Sequence, residues 1–351
     1  MDSVRGIELA IDDFGGKIKG HGIKLSGYDS KCNPTGGRKA ATKIASDPTI
    51  VAAIGSNCSS AAKSGVPILW DAGIPTVAPS NSAPFLTDPN RGEGYSGYLR
   101  TCWNDKVQGA VAAEFVKNVL RLNSAATIHD GSIYAEALAN EFAETFKKLG
   151  GIVTAQKAVK PGDTNMRSIL NSIATGKPGI IYYPIFIAEG SHITRQAKEV
   201  SGLENTNLMG ADGIFSPYFY KAAGEAAAGM FHTSPDFSAF PAQYINLLKK
   251  HQEKYGIKPK APFHAHSYDA TMMILKAIEK VAVEGSDGSL SIDRMKLRDT
   301  LYATKGFKGM TGTLNCNQFG DCAAPNIAVY ETKIENIKKG RMPSKPYWKP
   351  Y

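Results

Sequence analysis

The chain has 351 residues, of which 42% are hydrophobic, 9% aromatic and 21% charged. A chain beyond roughly 250–300 residues outgrows one hydrophobic core, so two domains are expected, and no run approaches the roughly 18 apolar residues of a membrane helix. The formal net charge of +9 comes from lysines scattered among acidic residues, with only positions 333–349 lopsidedly basic, which argues against a nucleic-acid partner.

Val4, Ile7, Ile11 and Phe14 recur at helical spacing, so the chain opens in an amphipathic helix. Met1-Asp2-Ser3-Val4-Arg5 contains no apolar stretch resembling a signal peptide, so a removed leader or a trimmed start is expected. Short β-rich runs then alternate with helical patterns: strand 23–28, helix 36–46, strand 50–55, helix 61–72 and strand 76–78. After Arg100 the rhythm restarts with helix 106–122, strand 125–129, helix 134–149, strand 152–157, helix 166–175, strand 179–183, helix 188–201 and strand 207–210. Beyond Pro235 come helices 242–255, 264–283 and 292–304, then strands within 309–333 joined by a turn at 317–321. Such alternation predicts parallel, doubly wound sheets with helices on both faces. Ligands of these sheets bind at the carboxyl ends of the strands, which directs attention to 56–60, 80–84, 130–134, 185–188 and 211–215.

Cys32 and Cys58 each follow a predicted strand, and Cys316 and Cys322 bracket a turn-like stretch. Two bridges with Cys102 left free is the favoured reading and implies an oxidising compartment; five reduced thiols in a cytoplasmic protein is the competing one.

Catalytic and cofactor motifs fare poorly. Gly92-Glu93-Gly94-Tyr95-Ser96-Gly97 has dinucleotide-fingerprint spacing, but it follows a polar turn and leads into a strand, where pyrophosphate binding needs a helix N-terminus. His129, Asp130 and Ser59 make no hydrolase triad without a nucleophile elbow. His264 and His266, two residues apart on a helix, point about 200° apart, so one packed and one solvated imidazole is expected rather than a metal site. No cofactor and no enzymatic activity are expected.

A zwitterionic ligand needs hydroxyl and N–H donors for its carboxylate and an anion for its ammonium. Ser59 and Ser60 precede a helix, and Ser80-Asn81-Ser82 follows a strand; the acid is Asp212, after strand 207–210. Taken singly, the serines could be mere helix caps and the aspartate a turn residue.

Six stretches resemble the branched-chain amino-acid-binding family of type I periplasmic binding proteins. They are Tyr28-Asp29-Ser30-Lys31-Cys32-Asn33-Pro34, Gly55-Ser56-Asn57-Cys58-Ser59-Ser60, Ala78-Pro79-Ser80-Asn81-Ser82-Ala83-Pro84, Ile128-His129-Asp130 to Tyr134, Thr194-Arg195-Gln196-Ala197 and Met209-Gly210-Ala211-Asp212-Gly213. The resemblance implies two doubly wound Rossmann-like α/β lobes with a ligand cleft between them, joined by crossovers near 100–102, 232–235 and 309–312. The lobes are then 1–101 plus 235–310, and 102–234 plus 311–351. It implies a periplasmic or extracellular monomer that captures a small amino acid by cleft closure and delivers it to the permease of an ABC transporter. The alternative is a sensing domain for an amide, a urea-like molecule or an aromatic acid.

By the same resemblance Ser59 and Ser82 hold the ligand carboxylate with Ser80 and Asn81 assisting. Asp212 pairs with the ammonium, Tyr134 closes on it, and Asn57, Phe186 and Phe263 line the ligand side chain. It also pairs Cys32 with Cys58, 26 residues apart, a bridge worth roughly 3–4 kcal/mol by chain entropy. A Cys316–Cys322 bridge rests on spacing alone. The chain departs from the family pattern in having no strand or aromatic-bearing loop ahead of Val4, and aspartate stands at 212 where glutamate is frequent.

Overall fold

Ala125, Ile180, Tyr182 and Met209 pack on one face of a sheet, while Ala126, Ile128, Ile181, Tyr183 and Leu208 pack on the other. Strands covered on both faces read as unbroken apolar runs, as these do. The computed structural model in which they lie describes residues 1–350. It has two units: Met1–Asn104 with Ala239–Pro259 and Phe263–Pro325, and Asp105–Ser238 with Lys260–Pro262 and Asn326–Tyr351.

The second unit is built on six strands in the order Ile327–Glu331, Phe231–Pro235, Asn207–Gly210, Ile180–Tyr182, Ser124–His129, Ile152–Ala158. All neighbours run parallel except the first pair. From Ser124–His129 the chain steps to Ile152–Ala158 on one side and Ile180–Tyr182 on the other, and at such a reversal of strand order the carboxyl-end loops part. The helix expected over 106–122 is instead the α-helix Asp105–Glu114 followed by a π-turn, Phe115–Val119. The wider turn falls where the Phe115 ring meets Phe231 and Trp348.

The first unit has a parallel sheet in the order Ala53–Ile54, Thr76–Ala78, Tyr98–Arg100. Residues 320–322 extend its edge: Arg100 N–H donates to the Gly320 carbonyl (2.8 Å) and Cys322 N–H to the Arg100 carbonyl (3.1 Å). Gly320 sits at φ +90°, and a Cβ there would lie 2.2 Å from the Tyr98 carbonyl oxygen, so only glycine fits. This pairing, with Leu314, Cys316 and Cys322 buried in the core, corrects the boundary expected near 309–312. Residues 311–325 belong to the first unit, and the chain leaves it only after Pro325. Cys32 is bonded to Cys58 and Cys316 to Cys322, while Cys102 is buried and belongs to neither bridge.

Two other expectations change. Residues 23–28 form no strand, because an extended segment becomes one only by pairing its backbone. Gly27 and Tyr28 instead border, together with Ala53 and Ile54, a cavity of about 750 Å³ lined also by Val4 and Val66. His264 and His266 are both buried, since the helix His264–Val281 buries residues all round its first turns. His264 Nε2 lies 2.9 Å from the Tyr244 hydroxyl. His266 packs against Trp103, Phe240 and Phe263, and burial lowers its pKa to about 3, so it is neutral.

Asp269, on the same helix, is fully buried and accepts from Met310 N–H (2.6 Å), Thr311 N–H (2.9 Å) and the Thr311 hydroxyl (2.6 Å). It anchors the hairpin of Phe307–Gly309 and Gly312–Leu314. Asp269→Ala leaves three donors unpaired and should destabilise the protein by about 3 kcal/mol or more. Urea unfolding checks this, and an unchanged midpoint contradicts the anchoring role.

Candidate functional site

In the first unit the candidate residues gather at the carboxyl ends of two adjacent strands. Ser59 opens the 13-residue helix Ser59–Asp71, and its Oγ accepts from Ala83 N–H at 3.3 Å. The Ser80 hydroxyl donates to the Asn57 carbonyl at 2.9 Å, tying the two loops together. Ser82 Oγ and both polar side-chain atoms of Asn81 are buried and make no hydrogen bond with the described residues. Buried polar atoms are rarely left so, and three within two residues mark a place that a polar ligand can complete. Asn57 is exposed and donates to the Ser3 hydroxyl at 3.3 Å. Phe263 is the N-cap of the helix His264–Val281, its ring 5.5 Å from Trp103 and 5.2 Å from His266.

What fixes the Ser82 loop is a residue the sequence reading passed over. Arg100 is 0% exposed. Its Nη1 donates to the carbonyls of Asn81 and Ala83, both at 2.9 Å, its Nη2 to Thr87 Oγ1 at 2.6 Å and its Nε to Asp321 at 2.5 Å. Bonds to the carbonyls on either side of Ser82 hold the peptide groups around it in one orientation.

In the second unit three loops converge. Tyr134 lies in the first turn of the helix Ile133–Lys148, after strand Ser124–His129, and Phe186 caps Ile187–Ala197, after Ile180–Tyr182. Their rings are 5.5 Å apart. Asp212 follows Asn207–Gly210 and is 8% exposed. Its Oδ1 accepts from the Tyr134 hydroxyl (3.1 Å) and from Gln108 Nε2 (2.7 Å). The neighbouring Gly213 donates its N–H to the Tyr134 hydroxyl at 3.3 Å. A Cβ at 213 would sit 2.8 Å from the Ile185 carbonyl oxygen and 3.2 Å from Tyr134 Oη, so glycine lets the loops close on one another. Burial raises the Asp212 pKa to about 6 against the opposing hydrogen bonds from Gln108 and Tyr134. Tyr134 is driven well above the ordinary phenol range by burial and then by the Asp212 charge, so it remains a donor.

Chemically, the first unit offers hydroxyls, a helix N-terminus and unpaired amide atoms, and the second offers a buried carboxylate held by two donors. One set suits an anion and the other a cation. Gln108, like Arg100, was missed. Its only signal is Asp105-Lys-Val-Gln108, which puts two polar residues one turn apart on one helix face.

The sequence profile of the family described as periplasmic binding protein matches residues 1–333. The leucine-, isoleucine-, valine-, threonine- and alanine-binding protein of Pseudomonas aeruginosa is 28% identical over 332 residues, covering 93% of this chain and 83% of that protein. The Leu/Ile/Val-binding protein of Escherichia coli K12 is 30% identical over 257 residues, covering 72% and 68%. Among solved structures, the leucine binding protein LivK of Thermotoga maritima has 27% identity and a TM-score of 0.83, covering 94% of this chain and 90% of that one.

The Arg100 contacts predict that Arg100→Lys, which keeps the charge but loses the planar fork, destabilises the protein by about 3–5 kcal/mol. Urea unfolding of this variant beside the wild type measures the difference; equal midpoints contradict the role of the guanidinium.

Proposed function

The chain belongs to the periplasmic binding protein family, and from that premise we propose that it captures a small amino acid and delivers it to the permease of an ABC transporter. One observation carries the reading. A carboxylate, Asp212, is buried at a strand end with the Gln108 and Tyr134 side chains both donating to Oδ1, an arrangement in which Oδ2 can meet a cation. Burying such a charge costs several kcal/mol unless something positive offsets it, and a ligand ammonium does so.

Each unit supplies half of the chemistry. The hydroxyls of Ser59 and Ser82, with Ser80 and Asn81, take the ligand carboxylate. Asp212 and Tyr134 take the ammonium, and Asn57, Phe186 and Phe263 meet the ligand side chain. Only a ligand with both charges collects both contributions, which is the differential affinity that a ligand-driven conformational change requires. The names of the relatives point to aliphatic side chains. Two disulfides suit an oxidising compartment, so the protein acts in the periplasm or outside the cell, as a monomer. Its role is recognition without turnover.

The pH dependence follows from the sign of the Asp212 shift. Its pKa of about 6 lies above the usual carboxylate value, so without ligand the folded protein keeps this proton as pH rises until about 6. An ammonium binds the ionised form, so leucine affinity should be full above about pH 7 and fall by up to about tenfold per pH unit below 6. At pH 5 binding should release close to one proton. Asp212→Asn should abolish this dependence, and Asp212→Ala should cost about 3–5 kcal/mol. Isothermal titration calorimetry with leucine in buffers of different ionisation heat reads all three. Unchanged affinity in Asp212→Ala, or thermal shifts confined to amides and aromatic acids, overturns the amino-acid reading.

A further inference from the structure

Gln108 is 0% exposed, one turn into the helix Asp105–Glu114. Its Nε2 donates to Asp212 Oδ1 at 2.7 Å and to Thr233 Oγ1 at 3.0 Å. A side-chain amide nitrogen carries two hydrogens. Both are engaged here, and turning the amide over would set its oxygen against the acceptor-only Asp212 carboxylate and forfeit that hydrogen bond, while the Thr233 hydroxyl can meet either face of the amide. Tyr134 is oriented in a similar way, because its oxygen accepts the Gly213 N–H and leaves its own hydrogen for Asp212. Two donors of fixed polarity therefore meet on one carboxylate oxygen.

We propose that Gln108 is the positioning residue for Asp212: by committing both Nε2 hydrogens to Asp212 and Thr233, it fixes the carboxylate in one orientation and keeps it ionised. It thereby sets the pH below which the second unit stops recognising an ammonium. The proposal rests on the reading of Asp212 as the ammonium partner.

The surroundings make that donor matter. The titratable groups facing this cluster are Asp105 on the Gln108 helix, Tyr134 on the helix Ile133–Lys148 and Tyr182 on its strand; the charges of Asp105 and Asp212 both act on the two tyrosines. None of the three is a cation. With burial opposing ionisation and no positive side chain in the cluster, hydrogen bonding is the means of holding the charge on Asp212.

Full-length wild type, Gln108→Leu, Gln108→Glu and Asp212→Asn test this, with leucine as the probe from pH 5 to 8.5. Two quantities are read: leucine affinity by calorimetry, and the Asp212 carboxylate titration by carbon-13 NMR without ligand, assigned by its loss in Asp212→Asn. Gln108→Leu should lower affinity at pH 7 by about ten- to a hundredfold, the range for losing one hydrogen bond to a charge. It should raise the Asp212 midpoint by about one pH unit or more, with affinity partly regained at pH 8.5. Gln108→Glu keeps the side-chain shape, so it covers the case in which leucine at 108 unfolds the protein, and by like-charge repulsion it should raise the midpoint further.

Midpoints within about 0.3 of wild type in both Gln108 variants, while Asp212→Asn still weakens leucine binding and removes its pH dependence, overturn the role of Gln108 and leave the amino-acid reading standing. A uniform loss of affinity at every pH with an unmoved midpoint also overturns it, since that is what a packing role produces. Leucine binding unaffected by Asp212→Asn overturns the amino-acid reading, and the proposal with it.

Discussion

The guanidinium of Arg100 is wholly buried, and a buried cation must be met by acceptors or the fold loses several kcal/mol. Its acceptors are drawn from three stretches of chain: the carbonyls of the Ser82 loop, Thr87 and Asp321. Asp321 in turn lies inside the Cys316–Cys322 loop, whose flanking residues extend the sheet beside Arg100 itself. The first unit therefore holds the Ser82 loop, the proposed carboxylate site, in one orientation. Preorganisation of this kind leaves less conformational freedom for binding to remove.

The second unit applies the same constraint with the sign reversed. Asp212 is a buried carboxylate that forms hydrogen bonds but no ion pair among the described residues, and burial raises its pKa against those hydrogen bonds. An aspartate fully paired within the protein would gain little from an ammonium. One held ionised by two neutral donors gains a great deal, at the expense of stability in the ligand-free protein. On the proposed ammonium role of Asp212, the same incompleteness predicts recognition that is sensitive to mild acid.

Much of this was legible in the order of residue types. Strands Thr76–Ala78 and Asn207–Gly210 fell where their apolar runs and bounding turns placed them. Ser59, Ser82 and Asp212 stood out because a polar residue directly after such a run sits at the end of a parallel strand, whatever the details of packing. The readings that failed did so where a residue's state depends on distant chain. Residues 23–28 have strand-like composition, but beyond the Ile23 N–H bond to the Gly16 carbonyl they join no strand ladder. His264 and His266 diverge around their helix as expected, yet both are buried because other elements cover that helix on several sides.

The sequence by itself determined the alternation of elements, the strand-end positions of the polar candidates and the family. These follow from local periodicity, from turn chemistry and from motifs that survive in one dimension. Only the tertiary structure decided that residues 311–325 join the first unit, that Arg100 is an internal cation and that Gln108 grips Asp212 across 104 positions of sequence. A glutamine inside a helix and an arginine ending a strand look like surface residues until the fold removes them from water. Which buried polar group satisfies which is fixed by three-dimensional proximity, and no local pattern encodes it.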